Sequence, residues 1–154
     1  MGQKAMTIRL AQRKDRDRVV ELGKLMHEES IYGKFPYSYE DAHKYAEEHG
    51  VNPNKLFLVS EVAGEVVGFF FARMAKHYFG PTKIAIEDGF FIHPDHRGGR
   101  EVIRMFREYE RWGRFMGASV LNFSQTALGP DERWVRLGGK LGFQRTGTHF
   151  QKEL

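Results

Sequence analysis

The chain has 154 residues, a length that fits one domain, and its mean hydropathy of -0.53 argues against a membrane-embedded protein. Cysteine is absent, which excludes disulfides, a thiolate nucleophile and a cysteine-based zinc site. The net charge of +4 suits an anionic ligand but is too small to indicate a nucleic-acid-binding protein.

Strand and helix patterns follow one another along the whole chain. Alternating apolar residues indicate strands, apolar residues three or four apart indicate helices, and glycines and prolines separate the elements. In chain order we predict strand, helix, helix, three strands, helix, strand, helix and strand, over 7–10, 14–30, 38–50, 56–62, 66–74, 83–93, 100–117, 120–124, 131–141 and 143–152. This order predicts a single mixed α/β domain over 1–154, with residues 1–6 frayed.

A turn with two adjacent glycines joins the fourth predicted strand to the most regular helix. The strand ends at His93, the turn contains Gly98-Gly99, and arginines lie nearby at 97, 100 and 104. Free N–H groups and a partial positive charge mark the first turn of a helix, and glycines let a phosphate approach the backbone. The stretch therefore predicts an anion site suited to a pyrophosphate. On these residues alone, an ordinary turn with surface arginines is an equal alternative, since neither the Rossmann nor the Walker pattern is present.

The chain resembles the GNAT superfamily of N-acetyltransferases over nearly its whole length. The resemblance rests on the element order, the hairpin from Phe57 to Phe71, the run from Ile92 to Gly98, and the closing Lys140-Leu141-Gly142-Phe143. It implies an α/β (α+β) GNAT fold, with a mixed, mostly antiparallel sheet of six to seven strands and about four helices. It also implies a splay between the fourth and fifth strands and an acetyl-CoA-dependent N-acetyltransferase activity.

In this family a segment Arg/Gln-x-x-Gly-x-Gly/Ala binds the pyrophosphate of acetyl-CoA through main-chain amides. The resemblance therefore assigns cofactor binding to Arg97, Gly98, Gly99, Arg100, Glu101 and Val102. Arg97 matches the first position of the pattern, whereas Arg100 and Val102 stand where the family has small residues. The resemblance also places the pantetheine arm beside Phe91 and Ile92, whose main chain would pair with it as with an added strand.

The same resemblance places the catalytic carboxylate in the fourth strand, where Glu87 and Asp88 are neighbours. The attacking amine must lose a proton, and a carboxylate can accept it directly or through water. Strict alternation puts Glu87 on the face of Phe91 and Asp88 on the face of Phe90 and Ile92, so that only one carboxylate faces the groove. The sequence leaves open which one it is, and also whether both are solvated or ion-paired.

The tyrosine that often protonates the leaving thiolate in this family falls here on Gly138. Ser124 or a water is the substitute that the sequence offers. A strand N–H near Phe91 or Ile92 would polarise the thioester carbonyl.

The acceptor side is expected along residues 28–49, which are rich in tyrosine and acidic residues. The rings form either a lid over a cationic amine or a layer that packs the helices onto the sheet. The expected partners are an acyl-CoA and an amine acceptor, in a cytoplasmic protein without a membrane partner, and a homodimer is left open. None of the seven histidines belongs to a His-x-x-x-His pattern, so no metal site is predicted.

Two other hypotheses remain for the function. Arg100, Val102 and Gly138 depart from the family pattern, which is compatible with an inactive CoA-binding or partner-binding module of the same fold. A basic nucleic-acid-binding domain would suit the isoelectric point of 9.4, but the basic residues are mixed with acidic ones rather than clustered with aromatics.

Overall fold

The computed structural model describes residues 5–154 of the chain. Its strands are β1 (Met6–Leu10), β2 (Lys55–Val62), β3 (Glu65–Lys76), β4 (Lys83–Ile92) and β5 (Val120–Asn122). Its helices are α1 (Arg16–Glu28), α2 (Tyr39–Val51), α3 (Glu101–Phe115) and α4 (Glu132–Lys140), with short 3-10 turns at Arg13–Asp15 and Pro94–His96. Of the described helices, none has the length and apolar character needed to cross a bilayer.

The five strands form one sheet in the order β1-β2-β3-β4-β5. The first four strands pair antiparallel, and β5 alone runs parallel to its neighbour β4. A parallel neighbour needs a crossover connection, which α3 supplies. The predicted α+β class, with a mostly antiparallel mixed sheet and four helices, is therefore confirmed.

Helices cover both faces of the sheet, and each face has its own apolar core. On one face α1 and α2 pack against the sheet, with Val19, Leu22 and Ala46 around the rings of Phe69 and Phe71. On the other face α3 places its apolar side against the sheet, and its fully buried residues are Met105 and Tyr109, with Phe106 almost as buried. Because strand side chains alternate between faces, β3 and β4 supply rings to both cores.

The sheet has fewer strands than the predicted six to seven. Residues 143–152 were expected to form a closing strand, but the structure gives them no regular secondary structure. The segment contains little apolar surface to bury, and Phe150 is 88% exposed. Of the segment 1–6, residues 1–4 lie outside the described part of the chain, and Met6 is the buried first residue of β1.

A β-bulge in β4 changes which residues share a face. Phe71 pairs with Gly89 and Ala72 with Glu87, so Asp88 is an extra residue with no partner on β3. Such an insertion interrupts the two-residue alternation. Glu87 therefore lies on the α3 face, near Tyr109, whereas Asp88 faces His49 of α2. The predicted distribution, with Asp88 on the face of Phe90 and Ile92, was wrong because strict alternation was assumed across this bulge.

The strands approach one another closely at Gly68, beside the end of β4. Gly68 pairs with Ser60 of β2 and with Ile92 of β4. A Cβ atom built on Gly68 would lie 2.6 Å from the carbonyl oxygen of Phe91 and also overlap the Ser60 hydroxyl. Glycine at this position thus sets how tightly the last residues of β4 pack onto β3.

We expect Gly68→Ala to lower the free energy of unfolding by about 1–3 kcal/mol, because overpacking forces the strands apart. Urea denaturation measures the effect. The Ser60 hydroxyl has no hydrogen-bond partner within residues 5–154, so Ser60→Ala should be neutral or stabilising and should restore part of the loss in the double variant. Gly139→Ala, at a helical position with nothing within 4 Å, is the control and should gain up to ~1 kcal/mol. Full stability of Gly68→Ala would contradict this account.

Candidate functional site

The site begins where the pairing of β4 and β5 ends. The two strands are paired only from Ile84 and Val120 to Ile86 and Asn122. Beyond these residues β4 continues to Ile92, whereas the chain after Asn122 turns away. The gap opens into a cavity of about 660 Å³, with walls from α1, α2, β4, α4 and the loop after β5. The predicted splay between the fourth and fifth strands is confirmed.

One end of the cavity lies against the start of α3, where several main-chain donors are free. Among the described residues, no acceptor is found for the N–H groups of residues 98–103. Gly98 has a φ of +102°, a conformation that favours glycine, and no atom lies within 4 Å of where its Cβ would be. The corner therefore has free donors and open space at Gly98, as a bound phosphate requires. At the neighbouring Gly99 the Glu101 carboxylate lies against the main chain, so this side chain would have to move before an anion could bind there.

The arginines of this corner are partly engaged by protein groups. Arg97 donates from Nε to the carbonyl oxygen of Ile92 at 2.7 Å and from a terminal nitrogen to Glu29 at 2.8 Å. Its guanidinium also lies over the Phe91 ring, 5.0 Å from the centroid. Arg104 donates to the carbonyl oxygen of Met6 on β1. These bonds hold Arg97 at the edge of the cavity and turn Arg104 away from it.

Two loops meet across the cavity. The N–H of Ile31 donates to the carbonyl oxygen of Thr126 at 3.0 Å, and the N–H of Leu128 donates to that of Glu29 at 2.9 Å. These bonds surround an antiparallel bridge between Ser30 and Ala127. The segment that follows α1 is thereby tied to the segment that follows β5, and both contribute to the cavity wall.

Glu87 is the buried carboxylate of the cavity. Glu87 belongs to β4, and its Oε2 accepts a hydrogen bond of 3.2 Å from the main-chain N–H of Ser124. Burial raises the pKa of Glu87 to about 8, and the negative charge of Asp88 acts in the same direction, whereas the Ser124 bond opposes it. A carboxyl group with such a pKa can exchange a proton near neutral pH.

Asp88 lines the same cavity but is fully engaged by neighbours. One oxygen accepts from Arg73 Nε at 2.9 Å, and the other lies 3.2 Å from His49 Nε2. The other ring nitrogen of His49 lies 3.0 Å from the carbonyl oxygen of Tyr45, so this buried histidine links α2 to the bulge of β4. Both carboxylates therefore reach the cavity, against the expectation that only one could, and of the two only Glu87 has no cationic partner within residues 5–154.

The structure distributes the other predicted residues unevenly. Phe91, Ile92, Arg97, Val102 and Ser124 line the cavity, whereas Gly98, Gly99, Arg100 and Glu101 are not among its lining residues. A Cβ built on Gly138 would lie 3.5 Å from the Phe123 ring and 3.7 Å from the Cβ of Phe143. Three of the predicted aromatic residues, Tyr32, Tyr37 and Tyr45, are also in the wall, and Tyr45 packs edge-on against Phe71 at 5.3 Å. Tyr45 therefore packs α2 onto the sheet while it lines the cavity, and the lid over a cationic amine stays a prediction.

Sequence reasoning missed several residues of the wall. Met26 of α1 reaches the bulge, and its methyl group lies 3.6 Å from where a Cβ of Gly89 would be. Trp134 of α4 packs edge-on against Phe90 at 5.7 Å, and Arg133 lies over its ring. Their helical spacing signalled only that they lie on an apolar face. Within residues 5–154, no three His, Asp or Glu side chains are placed to hold a metal ion.

Comparison with known proteins agrees with this geometry. The model of the acetyltransferase (GNAT) family matches residues 21–143. No curated protein matches the sequence. Many solved structures match the fold, and three illustrate the range of their functions.

A transcriptional regulator from Bacillus halodurans C-125 has a TM-score of 0.76 and 18% identity, covering 97% of this chain and all of that one. The aminoglycoside N-acetyltransferase AAC(6')-Iy, in complex with a bisubstrate analogue of CoA, has a TM-score of 0.72 and 18% identity, covering 97% and 98%. A ribosomal-protein-alanine N-acetyltransferase from Brucella melitensis biovar Abortus 2308 has a TM-score of 0.71 and 18% identity, covering 97% and 99%. Identities this low show a shared fold alone.

The raised pKa of Glu87 predicts a pH dependence of stability. The folded-state pKa of about 8 lies above the ordinary glutamate pKa of 4.5, so the contribution of Glu87 to stability is fully present below pH 4.5 and is lost as the pH rises through 8. The stability of the parent relative to Glu87→Gln should therefore fall across this window, by at most ~1.4 kcal/mol per pH unit. Urea denaturation from pH 4.5 to 9 measures this difference.

Glu48→Gln is the matched control. The hydrogen bond from Lys55 lowers the pKa of the exposed Glu48, so its effect on stability should not change between pH 5 and 8. A parent-minus-Glu87→Gln difference that stays flat over the same range would refute the buried, uncharged state of Glu87.

Proposed function

The chain belongs to the GNAT acetyltransferase family, and on that premise we propose that it transfers an acetyl group from acetyl-CoA to a primary amine, by direct attack in a ternary complex. The observation that carries the proposal is one continuous cavity that joins two different ends. Arg97 and Val102 line one end, next to the free N–H groups at the start of α3, and the buried Glu87 lies along the wall. An anion site next to a proton acceptor is what this reaction requires.

The start of α3 is the proposed site of the pyrophosphate. Main-chain N–H donors and the positive end of the helix suit a diphosphate, and the open space at Gly98 allows close approach. Arg100 and Val102 replace small residues of the family pattern, but side chains at these positions leave the N–H groups free to donate. Arg97, fixed by Glu29 and Ile92, adds a positive charge at the edge.

The gap beside β4 is the proposed site of the thioester arm. His93 donates its N–H to Val67 of β3, so the two-residue alternation directs the main-chain groups of Ile92 away from β3 and towards the gap. The carbonyl oxygen of Ile92 is bound by Arg97, which agrees with that direction. The N–H groups on this open edge are the proposed donors to the arm and to the thioester carbonyl.

Glu87 is the proposed general base. In the transfer, the amine nitrogen forms a bond to the acetyl carbon, the carbon–sulfur bond breaks with its electron pair on sulfur, and the nitrogen loses a proton to Glu87. Asp88 is a poorer candidate because Arg73 and His49 already bind both of its oxygens. The hydrogen bond from the Ser124 N–H holds the Glu87 carboxyl at the cavity wall.

Protonation of the departing thiolate is the step for which the usual group is missing. Gly138 replaces the family tyrosine, and the atoms nearest to where its Cβ would be belong to Phe123 and Phe143. We propose that the Ser124 hydroxyl or a water supplies this proton, since Ser124 lines the cavity next to Glu87. The competing proposal, a CoA-binding module without turnover, is motivated by the same absence at Gly138.

Acetyl-CoA should stabilise the folded protein, because it binds the folded state and not the unfolded chain. At a ligand concentration ~100 times the dissociation constant the gain is about 2.7 kcal/mol, which corresponds to a rise of roughly 5–10 °C in melting temperature. Differential scanning fluorimetry measures it. S-acetylpantetheine carries the thioester arm without the pyrophosphate and should give a much smaller shift. An unchanged melting temperature at millimolar acetyl-CoA would remove the proposed function.

Substitutions at Glu87 and at Asp88 test which of the two carboxylates is the general base. Glu87→Gln should lower kcat by about 10²–10⁴-fold and abolish the limb near pH 8 in the rate profile, whereas Asp88→Asn should keep that limb. Release of free CoA thiol over a panel of amines measures the rate. Ser124→Ala retains the main-chain N–H that binds Glu87, so it tests the hydroxyl alone. Parent-like turnover by Glu87→Gln would show that another group accepts the proton.

A further inference from the structure

The acceptor end of the cavity is walled mainly by apolar and aromatic side chains. This end lies between α1, α2 and the bulge of β4, away from the start of α3. Its apolar and aromatic lining is Val20, Met26, Tyr37, Ala42, Tyr45 and Phe71. The hydroxyl of Tyr37 is already bound, since it donates to the carbonyl oxygen of Val20 at 2.7 Å. A substrate body placed here would meet mostly carbon atoms.

None of the carboxylates that line the described cavity is both ionised and unpaired. Three of them reach the wall: Glu29, Glu87 and Asp88. Glu29 is bound by Arg97 at 2.8 Å, and Asp88 is bound by Arg73 and contacted by His49. Glu87 is 7% exposed, without a cationic partner, and burial favours its uncharged form.

A second ammonium group would therefore be desolvated in this cavity without an opposing charge, which is costly. The cations of the wall, Arg97 and Arg133, would add repulsion. The reacting amine, by contrast, attacks in its neutral form, so it brings no charge into the cavity, and the one proton that it loses on forming the amide passes to the ionised form of Glu87. The requirement is thus for one reacting amine on an uncharged body.

We propose that the acceptor is a monoamine with an apolar or aromatic body, and that diamines, polyamines and aminoglycoside-type polycations are poor acceptors. This inference rests on the proposed function and specifies the substrate class of the same site. It separates this chain from the aminoglycoside N-acetyltransferase that shares its fold, since its cavity has no free carboxylate among the described residues to bind the further charges of such a substrate.

Two matched pairs of amines test charge and polarity independently. n-Hexylamine and 1,6-diaminohexane have the same carbon chain and differ in one charge, and 2-phenylethylamine and glucosamine each carry one amine but differ in the polarity of the body. We expect kcat/KM to favour the first member of each pair at least tenfold, which corresponds to ~1.4 kcal/mol. Equal or higher kcat/KM for diaminohexane, glucosamine, spermidine or kanamycin would overturn the inference.

A substitution in the wall gives a gain-of-function test. Ala42 lines the cavity in the first turn of α2, where a negative charge is favourable to the helix. Ala42→Asp should raise the ratio of kcat/KM for diaminohexane to kcat/KM for hexylamine about tenfold, because the new carboxylate can bind the second ammonium group. Ala42→Asn, of the same size without the charge, should keep the parent ratio. Identical ratios in the two variants, with both folded, would count against the charge argument.

Failure of the transferase proposal can be distinguished from failure of the substrate-class inference. If acetyl-CoA raises the melting temperature but no amine is acetylated, the transferase proposal fails and the substrate-class inference is decided by binding. Calorimetric titration of hexylamine and diaminohexane into the protein saturated with CoA supplies that readout. Tighter binding of hexylamine supports the inference, whereas equal binding, or none from either amine, rejects it.

Discussion

The short pairing between β4 and β5 is the constraint on which the rest of the site depends. Three residues of β5 pair with β4, and β4 then continues for six residues along an edge that no strand covers. An uncovered edge leaves main-chain donors and acceptors free, and in most proteins such edges are blocked or paired. Here the free edge lies inside the protein, under the loops that follow α1 and β5. The cavity exists because those loops bridge the gap without filling it.

The bulge at Asp88 gives the two adjacent carboxylates different environments. Without the extra residue, both would follow the simple alternation of a strand. With it, Asp88 enters an ion pair with Arg73 beside the buried ring of His49, and Glu87 turns towards the α3 face, where burial raises its pKa to about 8. Two chemically similar groups thereby obtain separate roles, one structural and one suited to proton exchange, because their surroundings differ.

The departures from the family pattern do not affect all parts of the site equally. Arg100 and Val102 alter side chains at a place where the main chain supplies the donors, so the N–H groups at the start of α3 stay free. Gly138 is different, because the backbone cannot replace the hydroxyl group of a tyrosine. A Cβ built on Gly138 would meet Phe123 and Phe143 at ordinary contact distances. The departures therefore leave the proposed anion site its donors, whereas they remove the usual proton donor.

The sequence by itself determined the element order, the sheet-forming runs and the glycine turn at the start of α3, because local periodicity and turn residues encode them. It also identified Glu87 and Asp88 as the pair of interest. Only the tertiary structure gave the two carboxylates different environments, since the bulge, the partners Arg73 and His49 and the burial of Glu87 all arise from residues distant in sequence. For the same reason the wall residues Met26 and Trp134 and the missing closing strand at 143–152 could not be predicted. Periodicity shows that a residue has an apolar face, whereas what that face contacts depends on the packing of other elements.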